Sequence, residues 1–209
     1  MKIGKSALLG FGILWLVGVG VGQRVLLDYE TSLGEAATPP VRWPADSRIQ
    51  RATGLATLVM MAHPQCPCTR ASIGELALLM AQVQDRVSAY VLFFKPTGYS
   101  EEWEKSDLWR SAAAIPRVTV LVDDGGVEAA RFHAAVSGQA LLYDVEGRLL
   151  FSGGITASRG HSGDNAGRSA IGSLVTTGTA ERAGTPVFGC SLHDPSSKPT
   201  NGVLHGKDR

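Results

Sequence analysis

The sequence predicts an α/β fold, a mixed sheet flanked by helices, carried behind an N-terminal apolar segment that reads as a transmembrane anchor. Two observations predict the fold. The apolar run Leu58 to Ala62 is short enough for a strand buried on both faces. After Pro67 the pattern changes period, and Ile73, Leu76, Leu79 or Met80, and Val83 recur at helical spacing. Further β-rich runs then alternate with helical ones, which is the pattern of strands and helices packed in layers.

Taken in order, Ala7 to Gly22 carries no charged side chain and follows Lys2 and Lys5. The positive flank holds the start of the chain in the cytoplasm and exports the rest to a compartment where disulfides persist. No small-x-small cleavage site follows the run directly, so an uncleaved anchor is expected over a signal peptide, with residues 1–27 as that segment. Residues 28–54 read as a tether. Thr38-Pro-Pro-Val-Arg-Trp-Pro44 cannot form a regular helix and favours extended geometry, Trp43 is expected to pack partly on the domain, and Ser47 to Gly54 allows a short helical turn.

The domain is expected over 55–177. After the helix that begins at Pro67 come a strand over Val87 to Phe94, a helix over Glu101 to Ala114 and a strand over Arg117 to Val122, ended by Asp123-Asp-Gly-Gly126. Gly126 to Ala134 suits one or two helical turns. Gln139 to Tyr143 and Arg148 to Ser152, joined through Asp144-Val-Glu-Gly147, read as an antiparallel hairpin. Asp164 to Leu174 reads as the last helix, capped by Asp164 or Ser162. Residues 178–209, rich in Thr, Gly, Ser and Pro, are expected to be an irregular tail carrying Cys190.

With 20 basic and 19 acidic residues, the chain has no global charge to draw nucleic acid, and no such partner is expected. Its three cysteines are too few for a disulfide scaffold, and two of them, Cys66 and Cys68, are separated by one residue. That usage points to redox or metal chemistry. Pro67 suits the first helical position, so Cys66 falls at the cap and Cys68 and Thr69 in the first turn. Free N–H groups and the positive end of the helix dipole there favour thiolate over thiol. His63, three residues before Cys66, and Arg70 are candidates to add positive charge.

This strand, cysteine turn and helix resemble the active-site unit of the thioredoxin superfamily. The strings His63-Pro-Gln-Cys-Pro-Cys-Thr-Arg-Ala-Ser72, Ser137-Gly-Gln-Ala-Leu-Leu-Tyr-Asp144 and Ser158-Arg-Gly-His-Ser-Gly-Asp-Asn165 resemble the RedB-type branch of bacterial membrane-anchored thioredoxin-like proteins. The superfamily resemblance spans about residues 55–177. It implies a helix leucine ten positions beyond the nucleophile, and Leu76 makes that residue Cys66, with Thr69 in the usual second-cysteine position and Cys68 displaced into the turn. Met60 stands where thioredoxins carry a buried aspartate, and Gly138, within one residue, where they carry a cis-proline facing the site.

The function so implied is that of an exported, membrane-tethered thiol–disulfide oxidoreductase. Cys66 would be the nucleophile, and Cys68, through a small strained ring, or Cys190, from the tail, the resolving thiol. No cofactor is expected. The partners would be protein thiols or disulfides outside the bacterial inner membrane, and the single-pass anchor would face the domain toward the periplasm or cell exterior. A first alternative is a copper chaperone similar to the Sco type, with Cys66 and Cys68 as soft ligands and His133 or His161 in support, although that family's histidine position is Val136 here. A second is a thiol peroxidase, which Cys66 with Thr69 suggests but the missing Thr-x-x-Cys order, His63 standing at its start, does not.

Overall fold

A computed structural model describes residues 4–192 apart from Ala36 and Glu101. Residues 193–209 of the expected tail, with His193 and His205, lie outside the described residues. Helix α1 (Lys5–Glu30) runs well past the charge-free stretch because Val25-Leu-Leu27 continue its apolar surface. Leu8–Glu30 is long and apolar enough to cross a membrane, about 34 Å at 1.5 Å per residue, and none of it is buried in the protein.

The domain is built on one five-stranded sheet in the order β3-β2-β1-β4-β5. Strand β1 (Ala56–Ala62) lies at its centre, parallel to β2 (Val87–Lys95) and antiparallel to β4 (Gln139–Tyr143). β3 (Val118–Asp124) extends β2 in parallel, and β5 (Leu149–Gly154) closes the hairpin with β4. Alternation along β1 serves both layers. Leu58, Met60 and Ala62 face a core closed by α2 (Pro67–Val83), α3 (Asp107–Ala113) and α5 (Ala166–Thr177). Val59 and Met61 face the opposite core, where Phe132, at the end of α4 (Val127–Arg131), meets Leu141, Tyr143 and Trp43. This is the mixed, helix-flanked sheet of the thioredoxin-like fold.

Three elements differ from the sequence expectation. The helix expected from Glu101 begins at Asp107, because the residues before it form turns closed by Trp103 N–H to Ser100 O (3.2 Å) and Lys105 N–H to Glu102 O (3.2 Å). The last helix is capped by Asn165, whose side chain accepts the Arg168 N–H at 2.7 Å, in place of Asp164 or Ser162. Ser47 to Gly54 forms turns and bends without a helix.

The tether is docked along the domain. Trp43 meets Phe132 and Tyr143 edge-on, with ring centroids 5.0 and 5.2 Å away. Its N–H reaches Gly147 O at 2.8 Å, Leu149 N–H reaches Val41 O at 2.9 Å, and the Tyr143 hydroxyl reaches Pro40 O at 3.1 Å. These bonds satisfy backbone groups of the β4–β5 hairpin that otherwise face solvent. Trp43→Ala is expected to destabilise the domain by about 3 kcal/mol, the usual cost of emptying an aromatic site, without loss of secondary structure. Urea unfolding followed by circular dichroism measures both quantities.

Candidate functional site

The site forms where β1 ends. Ala62 leads into a turn closed by Cys66 N–H to His63 O (3.1 Å), and the first helical bond runs from Arg70 N–H to Cys66 O (3.4 Å). Cys66 therefore caps α2, with Pro67 in the first position. Thr69 reaches back from the first turn, its Oγ1 accepting the His63 N–H at 3.1 Å, and fixes the turn that holds the sulfur. Cys66 and Cys68 are each 2 % exposed.

The third cysteine is here too. Cys190 Sγ lies 2.8 Å from Cys66 Sγ, well outside the S–S bond length of about 2.0 Å but close enough for a short movement to join them. All three cysteines are free thiols. Cys190 arrives on a strap, residues 183–192, that first follows β5. Ser152 N–H reaches Ala183 O at 3.0 Å and Gly154 N–H reaches Pro186 O at 3.2 Å. The strap then crosses to the site and pairs antiparallel with the segment before β4, through Ser137 N–H to Cys190 O (2.9 Å), Leu192 N–H to Ala135 O (2.9 Å) and the bridge between Val136 and Ser191.

Two glycines permit this approach. Gly138, at the position the resemblance gives to a cis-proline, has φ +81° and donates its N–H to Met61 O at 2.7 Å. Among the described residues there is no cis peptide bond. The room glycine leaves here is filled by the protein's own chain, since a Cβ on Gly138 would meet Phe188 O at 3.5 Å and Ser72 Oγ at 3.0 Å. Gly189 is packed tighter still: a Cβ there would lie 1.8 Å from Ser137 O.

Ser137 joins strap and thiolate. Its Oγ donates to Cys66 Sγ at 3.4 Å and accepts the Cys190 N–H at 3.0 Å. Hydrogen bonds to Cys66 from Cys190, then Cys68, then, against the cost of burial, Ser137 and the Thr69 N–H hold its pKa far below the ordinary thiol value. Cys190, as the donor to that charge, is held well above it and stays protonated. At Cys68 the bond from Cys190 lowers the pKa, with help from the Gly160 N–H, but the bond to Cys66, burial and the Cys66 charge outweigh it, so the net shift is upward. The arrangement favours ionisation at Cys66 over the other two sulfurs.

The expected helpers take different parts. Burial beside Phe94 and Trp103, with ring centroids 6.2 and 5.6 Å away, lowers the His63 pKa, and the Cys66 charge only partly opposes it. Its Nδ1 accepts the Gln65 N–H at 3.2 Å, so the ring is a neutral acceptor in place of the expected imidazolium. Arg70 pairs with Asp107 at 2.6 Å on the surface and joins α2 to α3, its charge answered there and not at the sulfur. His133 is exposed with Nδ1 2.9 Å from Thr38 O, and exposed His161 has Nδ1 2.9 Å from Arg159 O. The alternative ligand set Cys66, Cys68, His133 and His161 is not assembled. Among the described residues no group of three or more His, Cys, Asp or Glu is placed to hold a metal ion.

Sequence reasoning passed over Ser137 as a chemical group, although it opens one of the quoted strings. It also passed over Glu75. This carboxylate, fully buried on α2, accepts from Gly163 N–H (2.7 Å), Asn165 Nδ2 (3.1 Å) and Arg168 Nη1 (2.7 Å). It thereby fixes the loop that carries Gly160 to Cys68. Its signal was helical register, since Glu75 interrupts the buried stripe beside Leu76.

The proton inventory sets the pH dependence of stability under reducing conditions. Between the depressed Cys66 pKa and the ordinary thiol value near 8.5, the unfolded chain binds one proton more than the folded one at Cys66, so stability rises with pH. Above that value the unfolded thiols ionise while Cys190 and Cys68 keep their protons in the folded protein, so stability falls. Urea midpoints measured across pH are expected to peak at about pH 8.5. In the triple Cys66→Ser, Cys68→Ser, Cys190→Ser variant the maximum is expected to broaden, its falling limb moving to about pH 10, where Tyr143 of the unfolded chain ionises.

No family model matches the chain, and no curated protein matches it. Solved structures do. An uncharacterized conserved protein from Geobacillus kaustophilus is 20% identical, with 79% of this chain and 94% of that one covered at a TM-score of 0.55. A hypothetical protein from Sinorhizobium meliloti is also 20% identical, with 77% and 93% covered at 0.52. A secreted Mycobacterium tuberculosis disulfide oxidoreductase is more distant, at 15% identity, 59% and 81% coverage and a TM-score of 0.40. At these identities the likeness concerns the fold alone, which sheet order and strand directions identify independently as thioredoxin-like.

Proposed function

We propose that the protein is a membrane-tethered, exported thiol–disulfide oxidoreductase in which Cys66 is the nucleophile and Cys190 the resolving thiol. The observation that carries this reading is the 2.8 Å approach of the two sulfurs. A thiolate poised against a protonated thiol is the reduced half of an exchange couple. The apolar α1 supports single-pass anchoring in a bacterial inner membrane, with the domain in the periplasm or outside the cell, as in the RedB-type branch that the sequence resembles. Protein disulfides or dithiols are the substrate class.

In the reducing direction the Cys66 thiolate attacks one sulfur of a partner disulfide. A Cys66–partner bond forms as the partner's S–S bond breaks, and the departing thiolate takes the Cys190 proton. Cys190 then attacks Cys66 Sγ, the intramolecular disulfide forms, and the second partner sulfur leaves and is protonated by solvent. Two electrons pass from the Cys66–Cys190 pair to the partner. A dithiol donor resets the enzyme by the reverse sequence, and with a partner dithiol as donor the same steps run as oxidation. Cys68 lies beside both sulfurs, but a bond to Cys66 would close a strained ring across a single residue.

Mass-spectrometric disulfide mapping after equilibration across glutathione potentials tests the assignment. A reversible Cys66–Cys190 bond is expected. Cys66→Ser is expected to abolish exchange with protein disulfides, by at least about a thousandfold for loss of the nucleophile. Cys190→Ser is expected to retain the first attack and accumulate a Cys66–partner adduct. A fully active Cys66→Ser variant, or no reversible bond to Cys66 at any potential, would overturn the reading.

A further inference from the structure

A partner protein cannot reach Cys66 while the strap is seated, since the residue is 2 % exposed and Cys190 stands against its sulfur. Exchange with a partner therefore requires the strap to leave. Its departure strips hydrogen-bond partners from the Ser137 N–H and the Ala135 carbonyl at the mouth of the site, and opens the hydrophobic place that buried Leu192 fills in the core of Phe132 and Trp43. Unpaired backbone groups beside an apolar slot favour an extended chain that pairs in their place.

We infer that the strap is a tethered stand-in for the partner, and that the edge Ala135–Ser137 docks an extended partner segment in the register the strap displays, Gly-Cys-x-aliphatic. The inference rests on the proposed oxidoreductase function and adds the recognition element of its substrates. Each position has a physical requirement. The reacting cysteine aligns with Cys190, because the Ser137 N–H then receives its carbonyl and the Ser137 Oγ its N–H, which brings its sulfur to Cys66. The residue before it has no side chain, since the Ser137 carbonyl occupies the Cβ position at Gly189. The residue two places after is apolar, as Leu192 is, and 1 % exposed there. The intervening residue lies at the surface, as exposed Ser191 does.

The same competition releases the product. Once the Cys66–partner bond has formed, the strap regains its edge by strand exchange as Cys190 attacks Cys66 Sγ. The step that breaks the covalent bond to the partner thus also displaces the partner's backbone. Electrons balance as in the scheme above, and with the strap displaced the Cys190 proton passes to the first departing thiolate through solvent, so no further reactant is needed.

The experiment uses the full-length protein, reduced and in detergent, and the peptide Val-Phe-Gly-Cys-Ser-Leu bearing a nitrothiobenzoate leaving group on its cysteine. Attack of Cys66 on the peptide sulfur releases the coloured thiolate, and mass spectrometry locates the adduct. Replacing the peptide's glycine by alanine, or its leucine by aspartate, is expected to slow release by about tenfold or more each, the usual discrimination of a steric clash or a lost apolar contact. The variant Gly189→Val, whose strap no longer seats, is expected to react about tenfold faster with the parent peptide. Equal rates for all three peptides, with Cys66 still exchanging, would overturn the docking register and leave the oxidoreductase reading intact. Parent-peptide release no faster in Gly189→Val than in the wild type would overturn the competition. Failure of Cys66 to react even with a small nitrothiobenzoate disulfide would overturn both readings.

Discussion

The structure depends on the hydrogen bonds that converge on one buried sulfur, that of Cys66. Cys66 is buried and charged, a combination that is costly unless donors converge on the charge. Here they come from three parts of the chain: the Thr69 N–H of the helix end, Ser137 before β4, and Cys190 on the strap. Remove the strap and the thiolate loses its largest stabilising contact as it gains access to solvent. In the proposed function, nucleophilicity and shielding are thus opposed by construction: the seated strap that stabilises the thiolate also covers it. His63 fits the same logic, because a neutral ring in an aromatic pocket adds no charge to compete with the thiols for the sulfur.

Much of the frame was legible in sequence because it rests on local rules. The apolar run before the cysteines, the proline that opens α2 and the helical stripe from Ile73 each carry their own physical signature, and together they place Cys66 at a helix end. The hairpin was legible through Asp144 and Gly147. What was not legible depends on long-range packing. No periodicity reveals that a Thr-Pro-Val-Phe-Gly-Cys stretch some 120 residues after Cys66 returns to pair with Val136 and Ser137. Glycine at 189 reads as a turn or tail residue until the carbonyl it must avoid is known. The tether was legible in part, since Trp43 was expected to pack on the domain and does. Prolines forbid a helix, but they say nothing of whether the extended chain floats or docks, and the deciding contact is the place between Phe132 and Tyr143 that Trp43 fills. Arg70 lay near the thiols in sequence, yet Asp107 of a later element claims its charge.

Glu75 shows how a core ion can serve a site it does not touch. With its carboxylate answered by Gly163, Asn165 and Arg168, the buried charge carries little net stabilisation but strong geometric demand, since losing any one partner leaves part of it unpaired. The loop from Ser158 to Asn165 is thereby held on α2, and with it the Gly160 N–H that faces Cys68.

That loop also meets the foot of α1. The Arg159 N–H binds Glu30 O at 3.0 Å, its guanidinium reaches Ser32 and lies 5.5 Å from the Tyr29 ring, and Gly34 N–H holds the strap at Val187 O at 2.8 Å. The contact with the helix end, at Arg159, and the contact with Cys68, at Gly160, are made by adjacent residues. With α1 in a bilayer, the thiols stand just above the lipid headgroups rather than at the end of a flexible leash. In the proposed function the anchor would then act as a ruler, and the cysteines it measures out for exchange would be those lying at the same height above the membrane.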